Sequence, residues 1–101
     1  RDIVSIGAMM KCYINNQCYN DVLCLFDEQA DKVRHNNVSK TLYLKACTAT
    51  DNYARGRSLI EQTMNEDGLS IELKTSMIDF YGRYGEMENA LCIFRLIPDD
   101  E

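Results

Sequence analysis

The 101-residue sequence contains no tryptophan, one proline and one histidine. Its five cysteines, Cys12, Cys18, Cys24, Cys47 and Cys92, form no Cys-x-x-Cys pair. That spacing argues against a zinc or redox motif and predicts reduced, buried packing thiols in an intracellular compartment. His35 is followed by Asn36 and Asn37, so the His-x-Glu and Cys-x-x-Cys of a zinc deaminase are absent. There is no Ser/His/Asp set, glycine-rich phosphate loop or EF-hand pattern. The reading is therefore of a chain that is not an enzyme, with no metal, no cofactor and no small-molecule substrate. No apolar run approaches the roughly 18 residues of a membrane span, and the start is not signal-like. We expect no membrane contact. Because the sequence begins with Arg1, we expect a piece of a longer protein with any targeting segment outside it. Asn37-Val38-Ser39 matches a glycosylation sequon, which an intracellular reading sets aside. Lysine and arginine number 11 against 16 aspartates and glutamates, giving a formal charge of −5. This argues against a strong sequence-independent grip on nucleic acid, while a local basic stripe remains compatible with it.

What the chain does contain is a repeated pattern. Ser76–Pro98 reads as two short amphipathic helices around a turn bracketed by Gly82 and Gly85, stopped by Pro98. Met77, Ile78 and Tyr81 fall at helical spacing before the turn, and Met87, Ala90, Leu91 and Phe94 after it. Stepping back 34 residues twice turns Ile78 into Leu44 and Met10, and Tyr81 into Cys47 and Tyr13. Met87 becomes Tyr53 and Tyr19, Ala90 becomes Gly56 and Val22, Ile93 becomes Leu59 and Leu25, and Phe94 becomes Ile60 and Phe26. A fixed period of this size marks a solenoid whose units bury their faces on each other. The units run Ile3–Asn36, Asn37–Ser70 and Ile71–Glu101, one repeat segment over residues 1–101.

The predicted helices are Val4–Ile14, Tyr19–Ala30, Val38–Thr48, Tyr53–Glu66, Glu72–Tyr81 and Met87–Leu96. Met9, Met10, Tyr13, Val22, Leu25, Phe26, Leu42, Leu44, Ala46 and Cys47 are expected to face inward. Asp2 is a candidate cap for the first helix, and Asp51 or Asn52 for the fourth. Asp31–Asn37 reads as a polar connector. Gly68 is a stop signal, with Glu66 and Asp67 unfavourably placed near a helix end. With no competing strand alternation, the fold class is all-α, an α-α superhelix of about three repeats and six helices.

The order of these residues resembles the pentatricopeptide repeat family, particularly its plant-organelle type with units of mixed length. Asp2-Ile3-Val4-Ser5-Ile6-Gly7-Ala8-Met9-Met10, then Tyr13, then Val22-Leu23-Cys24-Leu25-Phe26 carries the likeness in unit one. Leu44-Lys45-Ala46-Cys47 and Arg55-Gly56-Arg57 carry it in unit two, and Met77-Ile78-Asp79-Phe80-Tyr81 with Pro98 in the shorter unit three. The tetratricopeptide repeat has a similar length, but its early Trp and Leu-Gly are missing here.

The resemblance implies sequence-selective binding of single-stranded RNA, one base per unit, in organellar RNA processing or editing. Further partners would be other RNA-processing proteins, and the location a mitochondrion or plastid. It places base-edge contacts at the fifth and last positions of each unit: Gly7, Thr41 and Thr75 with Asn36, Ser70 and Glu101. It places base stacking at Val4, Val38 and Glu72, and backbone contacts at Lys11, Lys45 and Arg83. Gly7 offers no side chain to read with, and Glu72 puts a carboxylate where a base would stack. The alternative is a protein-interaction solenoid, a tetratricopeptide-like scaffold that does not bind RNA. The charge pattern on the inner face of the first helices discriminates between the two.

Overall fold

A computed structural model describes residues 1–99. Seven helices follow one another without a strand among the described residues: α1 (Ile3–Asn15), α2 (Tyr19–Glu28), α3 (Ala30–Val33), α4 (Asn37–Ala49), α5 (Tyr53–Thr63), α6 (Ile71–Arg83) and α7 (Met87–Phe94). The pairs α1/α2, α4/α5 and α6/α7 are the three hairpins. Six helices were expected, and α3 is the addition. Val33, fully buried, pulls the polar connector down onto the core as a single helical turn after the break at Gln29. Helices α5 and α7 end at Thr63 and Phe94, two or three residues short of the expected ends.

The period is written into the helix ends. Asp2, Asn36 and Ser70, spaced 34 apart, are the N-caps of α1, α4 and α6. Their side chains accept from the backbone N–H of Ser5 (2.7 Å), Ser39 (2.9 Å) and Leu73 (3.2 Å). Each cap satisfies one amide that the helix leaves unpaired. The hairpin turns recur at the same interval. Gln17, Asp51 and Gly85 take left-handed φ values of 59°, 54° and 72°. The residue after each donates back to the carbonyl of Tyr13, Cys47 or Tyr81 at 2.8, 2.8 and 2.9 Å. With the accompanying bonds to Ile14, Thr48 and Gly82, these are three Schellman closures. Only the third puts glycine at the left-handed residue, so Gln17 bears a steric penalty of about 1 kcal/mol that aspartate at 51 partly avoids. Asp51 and Asn52 do not cap α5 with a side chain, because the backbone closure already seals the turn and Asp51 is bonded elsewhere.

First helices lie side by side, α1 on α4 and α4 on α6, with α2 packed against α4 and α7 against α6. Between the layers lie Met10, Val22, Val33, Leu44, Ala46, Cys47, Ile60, Leu73, Met77 and Phe80, all nearly inaccessible. The 34-residue columns set this core, but the ends of the stack depart from expectation. Met9, expected inward, is exposed, and so are Met87, Leu91 and Phe94 of the apolar spacing on α7, Phe94 at 62% and Met87 at 68%. For Met9 and Phe94 the column mates are buried: Tyr43 and Met77 for the first, Phe26 and Ile60 for the second. An apolar side chain in these columns is covered by the neighbouring unit, so the outermost members have nothing to pack on among the described residues. The cysteines also depart. Cys47 alone is buried, Cys18 is half-buried, and Cys12, Cys24 and Cys92 are exposed. Burial pushes the Cys47 thiol up to about 12, which leaves it protonated and unreactive near neutral pH.

Candidate nucleic-acid interface

The first helices α1, α4 and α6, with the caps that precede them, line three hollows. The first is lined by Ile3, Val4, Gly7, Lys11, Asn36 and Val38. It gathers the second and fifth positions of unit one, its last residue, and the second position of unit two. The next is lined by Lys11, Val38, Thr41, Lys45, Ser70 and Glu72, the same set one period later. A third holds Lys45, Thr48, Ser76, Asp79 and Arg83. Residues scattered along the chain thus converge because the caps place the last residue of each unit at the foot of the next first helix. Thr75 is exposed on α6 and lines none of these hollows. Its expected partner Glu101 lies outside the described residues.

The hydrogen-bonding capacity at each hollow follows from the capping. Asn36 Oδ1 is occupied by the Ser39 amide, so its –NH2 group is what remains to face a ligand. Ser70 Oγ accepts from Leu73, leaving its O–H as a donor. The Thr41 hydroxyl donates to the Asn37 carbonyl at 2.8 Å, so it retains acceptor capacity only. The caps thus spend one acceptor position on each of Asn36 and Ser70, and Thr41 spends its only donor. Gly7 adds no group, and a Cβ there would meet nothing within 4 Å. Val4 and Val38 stand exposed at 80% and 48%, apolar surfaces of the kind a flat ring can lie against.

The charges on this face are mixed. Lys11 and Lys45 form no ion pair among the described residues, so both ammonium groups are free. Arg83 differs. Its guanidinium holds Asp51 of the preceding hairpin turn at 2.9 and 3.2 Å, and that carboxylate raises its pKa. It acts as a bridge between units before it can act on a ligand. Glu72 and Asp79 place two carboxylates on the α6 part of the face. The inner face is neither uniformly acidic nor uniformly apolar.

Sequence reasoning missed one buried group altogether. Lys40 is fully inaccessible and its Nζ lies 2.8 Å from Glu66 Oε1, with His35 Nδ1 at 3.2 Å from the same oxygen. The hydrogen bond from Lys40, with that of His35, holds the Glu66 carboxyl below its ordinary range. Glu66 was expected to sit unfavourably at a helix end. It lies beyond α5 instead and neutralises a buried ammonium. The neighbouring columns could have hinted at this, since Lys40 aligns with Ile6, itself in the core.

The architecture defines a helical-hairpin repeat protein. Compared with curated proteins, the chain is similar to pentatricopeptide repeat-containing proteins of Arabidopsis thaliana. One is 31% identical over 100 residues, covering 93% of this chain and 17% of the relative. A second is 29% identical and covers 87% and 15%. A third, whose name includes the word mitochondrial, is 26% identical and covers 98% and 15%. These similarities support the pentatricopeptide repeat family, and the chain spans about a sixth of the length of those relatives. No family model matches the chain, and no solved structure matches it.

Proposed function

We propose that this chain is a segment of a longer pentatricopeptide array of the mixed-unit type, binding single-stranded RNA without catalysing a reaction on it. The observation that supports this most directly is the repeated hollow: the second, fifth and last positions meet between consecutive first helices, twice, at one period. A base entering the first hollow would lie between Val4 and Val38 and meet the Asn36 amide. A base in the second would meet Thr41 and Ser70, with Val38 on one side and Glu72 on the other. Lys11 and Lys45, placed between successive hollows, are free to hold phosphates. In this role the protein positions a strand for organellar RNA-processing or editing factors, in a mitochondrion or plastid.

The test uses a replacement that separates structure from readout. Asn36→Asp keeps a good N-cap while exchanging the remaining donor for an acceptor. Selection from a random RNA pool should yield a different preferred base at one position, with helicity and unfolding midpoint unchanged. An unchanged preference would mean that Asn36 only caps α4. Absence of RNA binding at low salt would favour the second reading, a protein-interaction scaffold, which the charge of −5 and the carboxylates of α6 support.

A further inference from the structure

Three positions in register, one per unit, carry Lys11, Lys45 and Asp79, 34 residues apart. They occupy the same place on α1, α4 and α6. Lys11 and Lys45 share the second of the hollows described above, and Lys45 and Asp79 share the third. The cationic row is thus replaced by an anion at its third step. Nothing in the fold accounts for this carboxylate. Asp79 is exposed in the interior of α6, away from either end, and forms no ion pair among the described residues. Glu72 is different, since it lies in the first turn of α6, where a carboxylate suits the helix dipole. Of the nearby cations, Arg83 is engaged by Asp51 and Lys74 by the Leu96 carbonyl at 3.3 Å, while Lys45 shares the hollow with Asp79 without pairing to it.

Resting on the RNA reading above, we propose that Asp79 ends the backbone track. The strand follows Lys11 and Lys45 across the first two units, and its phosphates turn out of the groove at the third. A phosphate reaching past Lys45 would enter the hollow that Asp79 lines and meet like charge. Asp79 is in this sense a determinant of how far along the stack the RNA lies, although it makes no favourable contact with it.

The experiment measures binding of a labelled random-sequence RNA oligonucleotide to the 101-residue chain at salt from about 50 to about 200 mM. With two lysine contacts the logarithm of the association constant should fall with log salt at a slope near −1.4, by the single-strand value of about −0.7 per phosphate. Asp79→Lys should steepen the slope by about 0.7 and tighten binding roughly tenfold at the low-salt end. Asp79→Asn should tighten binding less and leave the slope as it was. Asp67→Lys, an equal charge change at an exposed residue of the α5–α6 connector, should leave the slope unchanged. If wild type binds and Asp79→Lys behaves like Asp67→Lys, the inference is overturned while the RNA reading stands. If neither wild type nor any variant binds, the RNA reading fails and takes this inference with it. Circular dichroism of each variant confirms that the helices persist.

Discussion

The two junctions in the stack recur at one period and are held by different chemistry. Between units one and two, Phe26 packs tilted against Tyr43 with centroids 4.4 Å apart, and Arg55 reaches back to Asp27 at 2.9 Å. Between units two and three, Phe80 sits amid Tyr53, Tyr81 and Tyr84, with ring centroids 5.1 to 5.6 Å away. Tyr53 donates to Glu86, and Arg83 holds Asp51. Gly56 permits that aromatic cluster, because a Cβ on it would collide with the Phe80 ring. A 34-residue period therefore fixes where neighbouring units touch, while the side chains filling the contact are free to vary as long as volume is kept. In the Gly56 column the exchange is visible: Val22, Gly56 and Ala90 stand at equivalent places, and the glycine is the one that faces the Phe80 ring.

The largest difference between the two junctions should show at Phe80. Phe80→Ala should cost about 3–5 kcal/mol, read as a lower denaturant midpoint. Its hydrogen-exchange signature should be loss of protection in α6 and α7 ahead of α1 and α2. Equal loss everywhere would mean the junctions are one cooperative unit. Glu66→Gln comes next. It leaves the buried Lys40 ammonium without its carboxylate, and should cost about 2 kcal/mol at neutral pH, since Glu66 is partly solvated. The same pair gives wild type an acid dependence. A carboxyl held below its ordinary 4.5 when folded contributes stability above that value. The contribution disappears as pH falls through the lower folded pKa. The variant should lack this acid-side loss, which pH-dependent unfolding of the two proteins would show.

Gly7→Ala should stabilise by about 0.5–1 kcal/mol, because α1 gains a better helix former and the new methyl has open space around it. Gly56→Ala, the same exchange against Phe80, should instead destabilise, so the two variants move thermal midpoints in opposite directions. Smallest of all are the exposed bridges. Arg55→Ala and Arg83→Ala should each lower the thermal midpoint only slightly, and the effect should shrink with added salt.

How much of this was legible beforehand varies with the kind of feature. The hairpins, their order and the core columns could be read because helical spacing and a 34-residue period are properties of the chain alone. Asp2 as a cap was also readable, since capping is local. The capping roles of Asn36 and Ser70 were not singled out, although their spacing from Asp2 carried the signal. The third helix of unit one was hidden, because a polar run such as Asp31–Asn37 becomes a helical turn only when Val33 finds a core to enter. The expectation of buried cysteines failed for a related reason. Cysteine is apolar enough to be buried but small enough to be tolerated outside, and only position on the helix decides. Arg83 was read as a backbone contact because its sequence slot suited one, and its pairing with Asp51 requires the turn of another unit to arrive beside it.

What is local or periodic follows from the chain alone: spacing, caps and turn closures form the hairpins, and the repeat of those signals sets the stack. The tertiary structure alone decided which faces are covered, which charges are free and which are spent. Lys11, Lys40, Lys45 and Arg83 are all single cations in the sequence, yet one is buried on Glu66, one is tied to Asp51, and two remain free over the groove. Their difference arises from partners 26 and 32 residues away, and a charge pairs with whatever folding brings within a few ångströms, a distance that no local pattern records.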